Sequence, residues 1–222
     1  MIENNLAEVN QKIEQACAQV NRNRSEVTLI AVTKTVDIQT TSELIDLGQV
    51  HIAENRADKF LAKKAALPSK DIVWHYIGNL QRRKVKEVIN EVDYFHALDS
   101  LRLADEIQKR ANHVIKCFVE VNVSGEESKH GFALEEVRDF ILSLQNHEFI
   151  QVVGLMTMAP FDSTSQQQHE MFKQLKQKQL EIEALNLSYA PCHELSMGMS
   201  NDYEIAVMEG ATYVRVGTAL FK

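Results

Sequence analysis

Eight apolar, β-branched runs recur along the 222 residues, at about 27–34, 51–55, 72–78, 94–98, 115–123, 150–158, 192–197 and 212–221. Helical patterns separate them, and no other feature of the sequence narrows the fold so far. Some runs are apolar almost throughout, such as Ile150-Gln151-Val152-Val153-Gly154-Leu155-Met156. A strand of that kind is covered on both faces, as in a parallel sheet flanked by helices. Between the runs, Leu134, Val137, Phe140, Ile141 and Leu144 repeat at helical spacing. Leu103, Ile107 and Ala111 do the same behind Asp99 or Ser100, either of which can cap a helix. Strand–helix alternation builds right-handed βαβ units and a parallel sheet. Eight such units in this length predict one (β/α)8 TIM barrel spanning residues 1–222 as a single domain. The alternative, an open doubly wound sheet, wants a glycine-rich turn after its first strand, where Lys34-Thr35-Val36-Asp37 stands.

The chain opens with an additional helix, whose Ile2, Leu6, Val9, Ile13, Cys17 and Val20 fall on one stripe, and the last run ends at Phe221, directly before Lys222. The extra helix is therefore expected to cover the wall beside the eighth strand. With 31 Asp and Glu against 24 Lys and Arg the net charge is -7, which disfavours general binding to nucleic acid or to an anionic membrane. The dense basic patch, Gln81-Arg82-Arg83-Lys84-Val85-Lys86, reads as a solvated helix face, with an anion- or RNA-binding spot as the alternative. Cys17, Cys117 and Cys192 form no CxxC pair, and MIENNLAEVN has neither the basic nor the apolar region of a secretion signal. A cytoplasmic protein is expected.

Active sites of such barrels gather at the carboxyl ends of the strands. The first run ends, against the usual preference for apolar cores, on Lys34. The second ends near Asn55. The seventh leads into Ser196-Met197-Gly198-Met199-Ser200, and the eighth carries Arg215-Val216-Gly217-Thr218. Ser200 is placed to cap the helical stretch that begins at Asp202. Gly217 lets backbone N–H groups approach an anion, and Thr218 adds a hydroxyl. Alone, these are also an ordinary cap and a strand glycine. Joined to a partly buried amine of lowered pKa, they suggest pyridoxal 5′-phosphate (PLP), with Arg215 beside the pyridine nitrogen.

Ala31-Val32-Thr33-Lys34, Glu54-Asn55-Arg56, Trp74-His75-Tyr76-Ile77-Gly78, Gly154-Leu155-Met156, Leu195-Ser196-Met197-Gly198-Met199-Ser200 and Val214-Arg215-Val216-Gly217-Thr218-Ala219-Leu220-Phe221 lie in order along the chain. Together they resemble the pyridoxal-phosphate homeostasis protein family. The resemblance implies a barrel like the N-terminal domain of alanine racemase, with PLP as a Schiff base on Lys34. It further implies Ser200, Gly217 and Thr218 at the phosphate, Arg215 at the ring nitrogen, and Asn55 and Met197 at the cofactor. Asn79-Leu80-Gln81 departs from the family's Pro-Leu-Gln, and Lys222 stands in place of a glycine.

Two functions compete: a carrier that buffers or delivers PLP, and a PLP-dependent amino-acid racemase or other enzyme of the same fold type. A guanidinium at the ring nitrogen disfavours its protonation and weakens the ring as an electron sink. A two-base racemase also needs an acid or base on the opposite face of its substrate, which the racemase fold draws from a further domain. The non-enzymatic carrier is therefore the expectation. Its partners would be PLP, other B6 vitamers and PLP-dependent apoenzymes, and a monomer is expected. No histidine spacing suggests a metal site. His75 and His193 read as structural strand residues, and Lys129 as a loop charge that resembles a vitamer contact of the family.

Overall fold

The computed structural model describes residues 1–69 and 71–222. Its eight parallel strands follow one another around a closed barrel. They are β1 (Thr28–Val32), β2 (His51–Glu54), β3 (Val73–Tyr76), β4 (Tyr94–Leu98), β5 (Ile115–Glu120), β6 (Ile150–Met156), β7 (Glu194–Ser196) and β8 (Tyr213–Val216). Helix α1 (Ile2–Gln19) precedes β1. The helices that follow the strands in turn are α2 (Ile38–Asp46), α3 (Ala57–Ala66), α4 (Arg82–Val88), α5 (Leu101–Arg110), α6 (Val137–Ser143), α7 (Ser165–Glu183), α8 (Tyr203–Met208) and α9 (Thr218–Phe221). The barrel closes where β1 pairs with β8, which sets Ile30 opposite Arg215.

Alternation along each strand sorts the side chains into two layers. On β3, Trp74 points outward and meets the Phe60 ring of α3 edge-on, 5.6 Å between centroids. His75, between Trp74 and Tyr76, points inward and is wholly buried. The outer layer forms one continuous apolar core beneath the helices. The lumen holds a small separate cluster, Ile30, Val32, Ala53, Phe118, Met156 and Tyr213, together with buried His75, His96, Ser196 and Arg215. A lumen of this kind is more aromatic and more polar than the branched aliphatic layers usual in such barrels.

Side-chain caps fix several helix starts. Asp37 accepts from Thr40 N at 2.8 Å, and of the two candidates before α5 it is Ser100 that caps, accepting from Leu103 N at 3.1 Å. Helix α1 buries Leu6, Val9, Ile13, Ala16 and Cys17, while Val20 lies past its end and is exposed. It rests on α8 and α9, tied by Asn5 Nδ2, which donates to Leu220 O at 3.0 Å.

Several strands are shorter than their apolar runs. The run 212–221 is half strand and half helix: Gly217 takes φ −120 and ψ −76, which ends β8 and starts α9. Helix α1 therefore shares the last stretch of wall with α9. β3 stops at Tyr76, ahead of a turn in which Gly78 has φ +79. His193 is not on a strand; it lies exposed before β7, where its Nδ1 sits 3.1 Å from Glu183.

Candidate cofactor site

The carboxyl ends of the strands surround a cavity of about 410 Å³, within the range of small-molecule sites. Six of the seven expected residues meet there: Lys34, Asn55, Ser200, Arg215, Gly217 and Thr218. The seventh does not. Met197 is wholly buried in the outer core and faces the helices, because alternation after inward Ser196 turns it away from the lumen. Met199 lines the cavity instead, after Gly198 at φ +100 reverses the backbone. A Cβ on Gly198 would stand 2.6 Å from that of Ala206, so glycine is what lets this turn lie against α8.

Lys34 also differs from expectation. β1 ends at Val32, Thr33 is buried, and Lys34 sits in the following turn with its side chain exposed to the open cavity. The amine that the core does bury is Lys63 of α3, 5% exposed. Its ammonium donates to Thr33 O, to Val36 O at 2.8 Å and to the Glu54 carboxylate. Those two carbonyls bracket Lys34, so the buried Lys63–Glu54 pair clamps the turn that presents it. Glu54 Oε1 also accepts from Thr33 Oγ1 at 3.2 Å, whereas Oε2 has no partner among the described residues. On the next turn Tyr76 OH donates to Asn55 O at 3.3 Å, and Gly78, at φ +79, lies beside the Asn55 side chain.

Ser200 is not the cap of α8. That position belongs to Asp202, whose Oδ1 accepts from Met199 N at 2.7 Å. The Ser200 hydroxyl instead accepts from Ala219 N at 3.2 Å, joining the turn after β7 to the first turn of α9. Ser200, Gly217 and Thr218 thus lie side by side along one wall of the cavity. Gly217 is also tight behind: a Cβ there would come within 3.1 Å of Val32 O.

Arg215 lies inside the barrel mouth, 3% exposed, and makes no salt bridge among the described residues. It donates to Thr157 O at 3.1 Å and to Ser196 Oγ. Burial draws its guanidinium down to about 10, still charged at neutral pH, with Asp202 and Glu120 resisting the fall. Glu120 closes β5 on the same side, and burial pushes its carboxyl up to about 7, helped by Asp99. Strand alternation from inward Phe118 marks Glu120 as inward too, a signal the sequence contains. Lys129 is held more firmly than a free loop charge, donating to Met158 O at 3.2 Å and pairing with Glu126 at 3.2 Å. The 82–86 patch is a helix face, with Val85 buried and Arg82, Arg83 and Lys86 exposed.

The donor set suits PLP. A neutral wall of hydroxyls and backbone N–H groups accepts a phosphate, Arg215 supplies a fixed donor at the inner end, and Lys34 offers an amine across the opening. The apolar remainder, including Val32, Ile77, Met156 and Met158, suits the faces of an aromatic ring.

Residues 5–222 match the family described as alanine racemase, N-terminal domain. A pyridoxal phosphate homeostasis protein of Aquifex aeolicus is 40% identical, over 97% of this chain and 95% of that protein. A solved structure of PipY of Synechococcus elongatus PCC7942 with PLP bound superposes with a TM-score of 0.87 at 30% identity, each chain covered over 100% of its length. A crystal structure of a protein from Bifidobacterium adolescentis gives 0.94 at 34% identity, over 99% of this chain and 94% of that one.

Proposed function

Because the chain belongs to the pyridoxal phosphate homeostasis proteins within the alanine racemase N-terminal domain family, we propose that it binds PLP in the barrel mouth and holds it as a reservoir for other proteins. The observation that carries this reading is the convergence of Lys34, Arg215 and the Ser200–Gly217–Thr218 wall on one cavity. When bound, PLP would supply an aldehyde within reach of the Lys34 amine and a phosphate that would anchor the molecule independently of that amine. Ser200 and Thr218 bind the phosphate, Arg215 keeps a charged donor at the ring nitrogen, and Lys63 holds the Lys34 turn in place. Asn55 orients the ring from the β2 side. The relatives' designation as homeostasis proteins supports storage over turnover. Cytoplasmic PLP, other B6 vitamers and PLP-dependent apoenzymes are the partners on this reading, and the protein acts as a monomer.

Incubation with PLP followed by borohydride should place one label, on Lys34, as read by peptide mass. Lys34→Ala should lose the label yet keep weaker, reversible binding. A label that persists in the variant would move the anchor to another lysine. Overnight incubation of the loaded protein with L-alanine or L-serine should leave them unchanged; accumulation of D-isomer or keto acid would make it an enzyme.

A further inference from the structure

A line of polar side chains crosses the barrel lumen from its floor to Arg215. His51 Nδ1 lies 2.9 Å from His75 Nε2, His75 Nδ1 lies 2.9 Å from His96 Nε2, and His96 Nδ1 lies 2.8 Å from Ser196 Oγ. Ser196 Oγ in turn contacts Arg215 Nη1. His75, His96, Ser196 and Arg215 are each 3% exposed or less; His51 is half-buried at the amino end of β2. The rings are clamped flat: His75 stacks on Tyr94 at 4.9 Å and 12°, and His96 on Phe118 at 4.3 Å and 17°.

Such a chain can run in either direction, since a neutral imidazole donates from one nitrogen and accepts at the other. Its upper end removes the choice. A guanidinium only donates, so Ser196 Oγ must accept from Arg215. If His96 Nδ1 also carried hydrogen, Ser196 would accept twice, and its own O–H would face no other acceptor among the described residues. A buried hydroxyl left unpaired is strongly disfavoured. Ser196 therefore donates to His96 Nδ1, which places hydrogen on His96 Nε2. His96 donates to His75 Nδ1, and His75 Nε2 donates to His51 Nδ1.

We propose that His51, His75, His96 and Ser196 form a one-way hydrogen-bond chain, directed by Arg215, that in return fixes the guanidinium with its remaining N–H groups toward the cavity. The three histidines and Ser196 are positioning residues, acting on Arg215 and not on the cofactor itself. The chain is poorly suited to carrying protons away from the mouth. Moving each proton one step toward His51 would leave a serine alkoxide beside Arg215, with the displaced proton released from His51 Nε2 to water.

The direction can be read in the apoprotein by ¹⁵N NMR of histidine side chains at pH 7. All three rings should be neutral, with hydrogen on Nε2 and a bare Nδ1. Hydrogen on Nδ1 of His96 or His75, or a mixture of tautomers there, would overturn the proposal, with no variant required. Arg215→Met should release the lock, so that His96 and His75 show both tautomers; unchanged rings in a folded variant would refute the role given to Arg215. The return effect rests on the PLP reading above. Ser196→Ala should weaken PLP binding about tenfold and shift the absorption of the bound cofactor, while borohydride still labels Lys34. Unchanged affinity and spectrum would refute the positioning of Arg215. The tautomer measurement needs no cofactor, so failure of the PLP reading and failure of the chain are distinguishable.

Discussion

Mild acid should destabilise this barrel through its buried histidines, and Glu120 should blunt the effect. Burial holds His75 and His96 well below the ordinary imidazole value of 6.5. The folded chain then leaves both neutral while the unfolded chain takes up their protons. The stability tied to them is complete above 6.5 and is lost as pH falls below it. Glu120 acts with the opposite sign, because burial raises its carboxyl from 4.5 to about 7. The folded chain takes that proton first, so a penalty present above 7 is relieved as pH drops toward 4.5. Each proton of difference between folded and unfolded chains is worth about 1.4 kcal/mol per pH unit. Between about pH 6 and 5, two imidazoles opposed by one carboxyl leave a slope of about 1.4 kcal/mol per unit, stability falling with pH. Glu120→Gln removes the opposition, and the slope should steepen to about 2.7 kcal/mol per unit. His51, also lowered, adds to the imidazole side, while Asp99 and Asp202, both raised by burial, add to the carboxyl side at the acid end. Urea unfolding of the apoprotein at half-unit pH steps, followed by fluorescence of the lone tryptophan, Trp74, measures both slopes. Stability that is flat or rising from pH 6.5 to 5, or equal slopes in the two proteins, would refute the reasoning.

Lys63→Met strands the Glu54 carboxylate in the core and should cost about 3–5 kcal/mol in urea melts. Glu54→Leu should cost a similar amount, and the double variant less than either single one; additive losses would show that the pair is uncoupled. Gly154→Ala would set a Cβ 2.1 Å from Glu194 O across the β6–β7 pair. That forces the strands apart and should cost about 3 kcal/mol, which a thermal melt would register as a lower Tm. Ser200→Ala combined with Thr218→Val should weaken PLP retention on dialysis about tenfold or more while the apoprotein still folds, its Tm slightly lowered because Ala219 N loses its acceptor. Loss of the fold in that variant would show that the wall is structural.

The barrel was legible because its signal is spread over the whole chain: eight runs, each with a helical pattern behind it, leave little choice of topology. Strand ends were less legible, because apolar residues continue into turns that face the outer core. Val121 and Met197 are buried just beyond the strands that precede them, and nothing local distinguishes them from strand residues. The misplaced burial has the same origin. A lysine closing an apolar run appears buried, and a lysine in Ala62-Lys63-Lys64-Ala65 appears solvated. Only the packing of α3 across the end of β1 reverses the two. Ser200 and Asp202 both suit a helix cap, and the backbone path through Gly198 decides between them.

The histidine line was the least legible part, since its members lie on β2, β3, β4 and β7 and each alone is an ordinary buried polar residue. Register aligns them: His51 pairs with Val73 and His75 with Tyr94, so each inward histidine sits one step further up the barrel than the last. That ascent explains why the lumen is polar. Arg215 is a buried cation with no carboxylate in salt-bridge contact among the described residues, only Asp202 and Glu120 further off, an arrangement that is destabilising unless neutral acceptors and an outside anion complete its surroundings. Thr157 O and Ser196 Oγ supply the first requirement. Replacing the line with aliphatic residues would stabilise the lumen by itself but remove the acceptor for the Ser196 O–H, and with it the constraint on where the guanidinium points. The anion is the second requirement, and a phosphate held at Ser200 and Thr218 places one within the same cavity. PLP should therefore raise the unfolding midpoint of the wild type in proportion to the logarithm of its concentration above Kd. Arg215→Met should show a smaller rise at equal PLP, because its empty barrel no longer contains the charge that binding would offset.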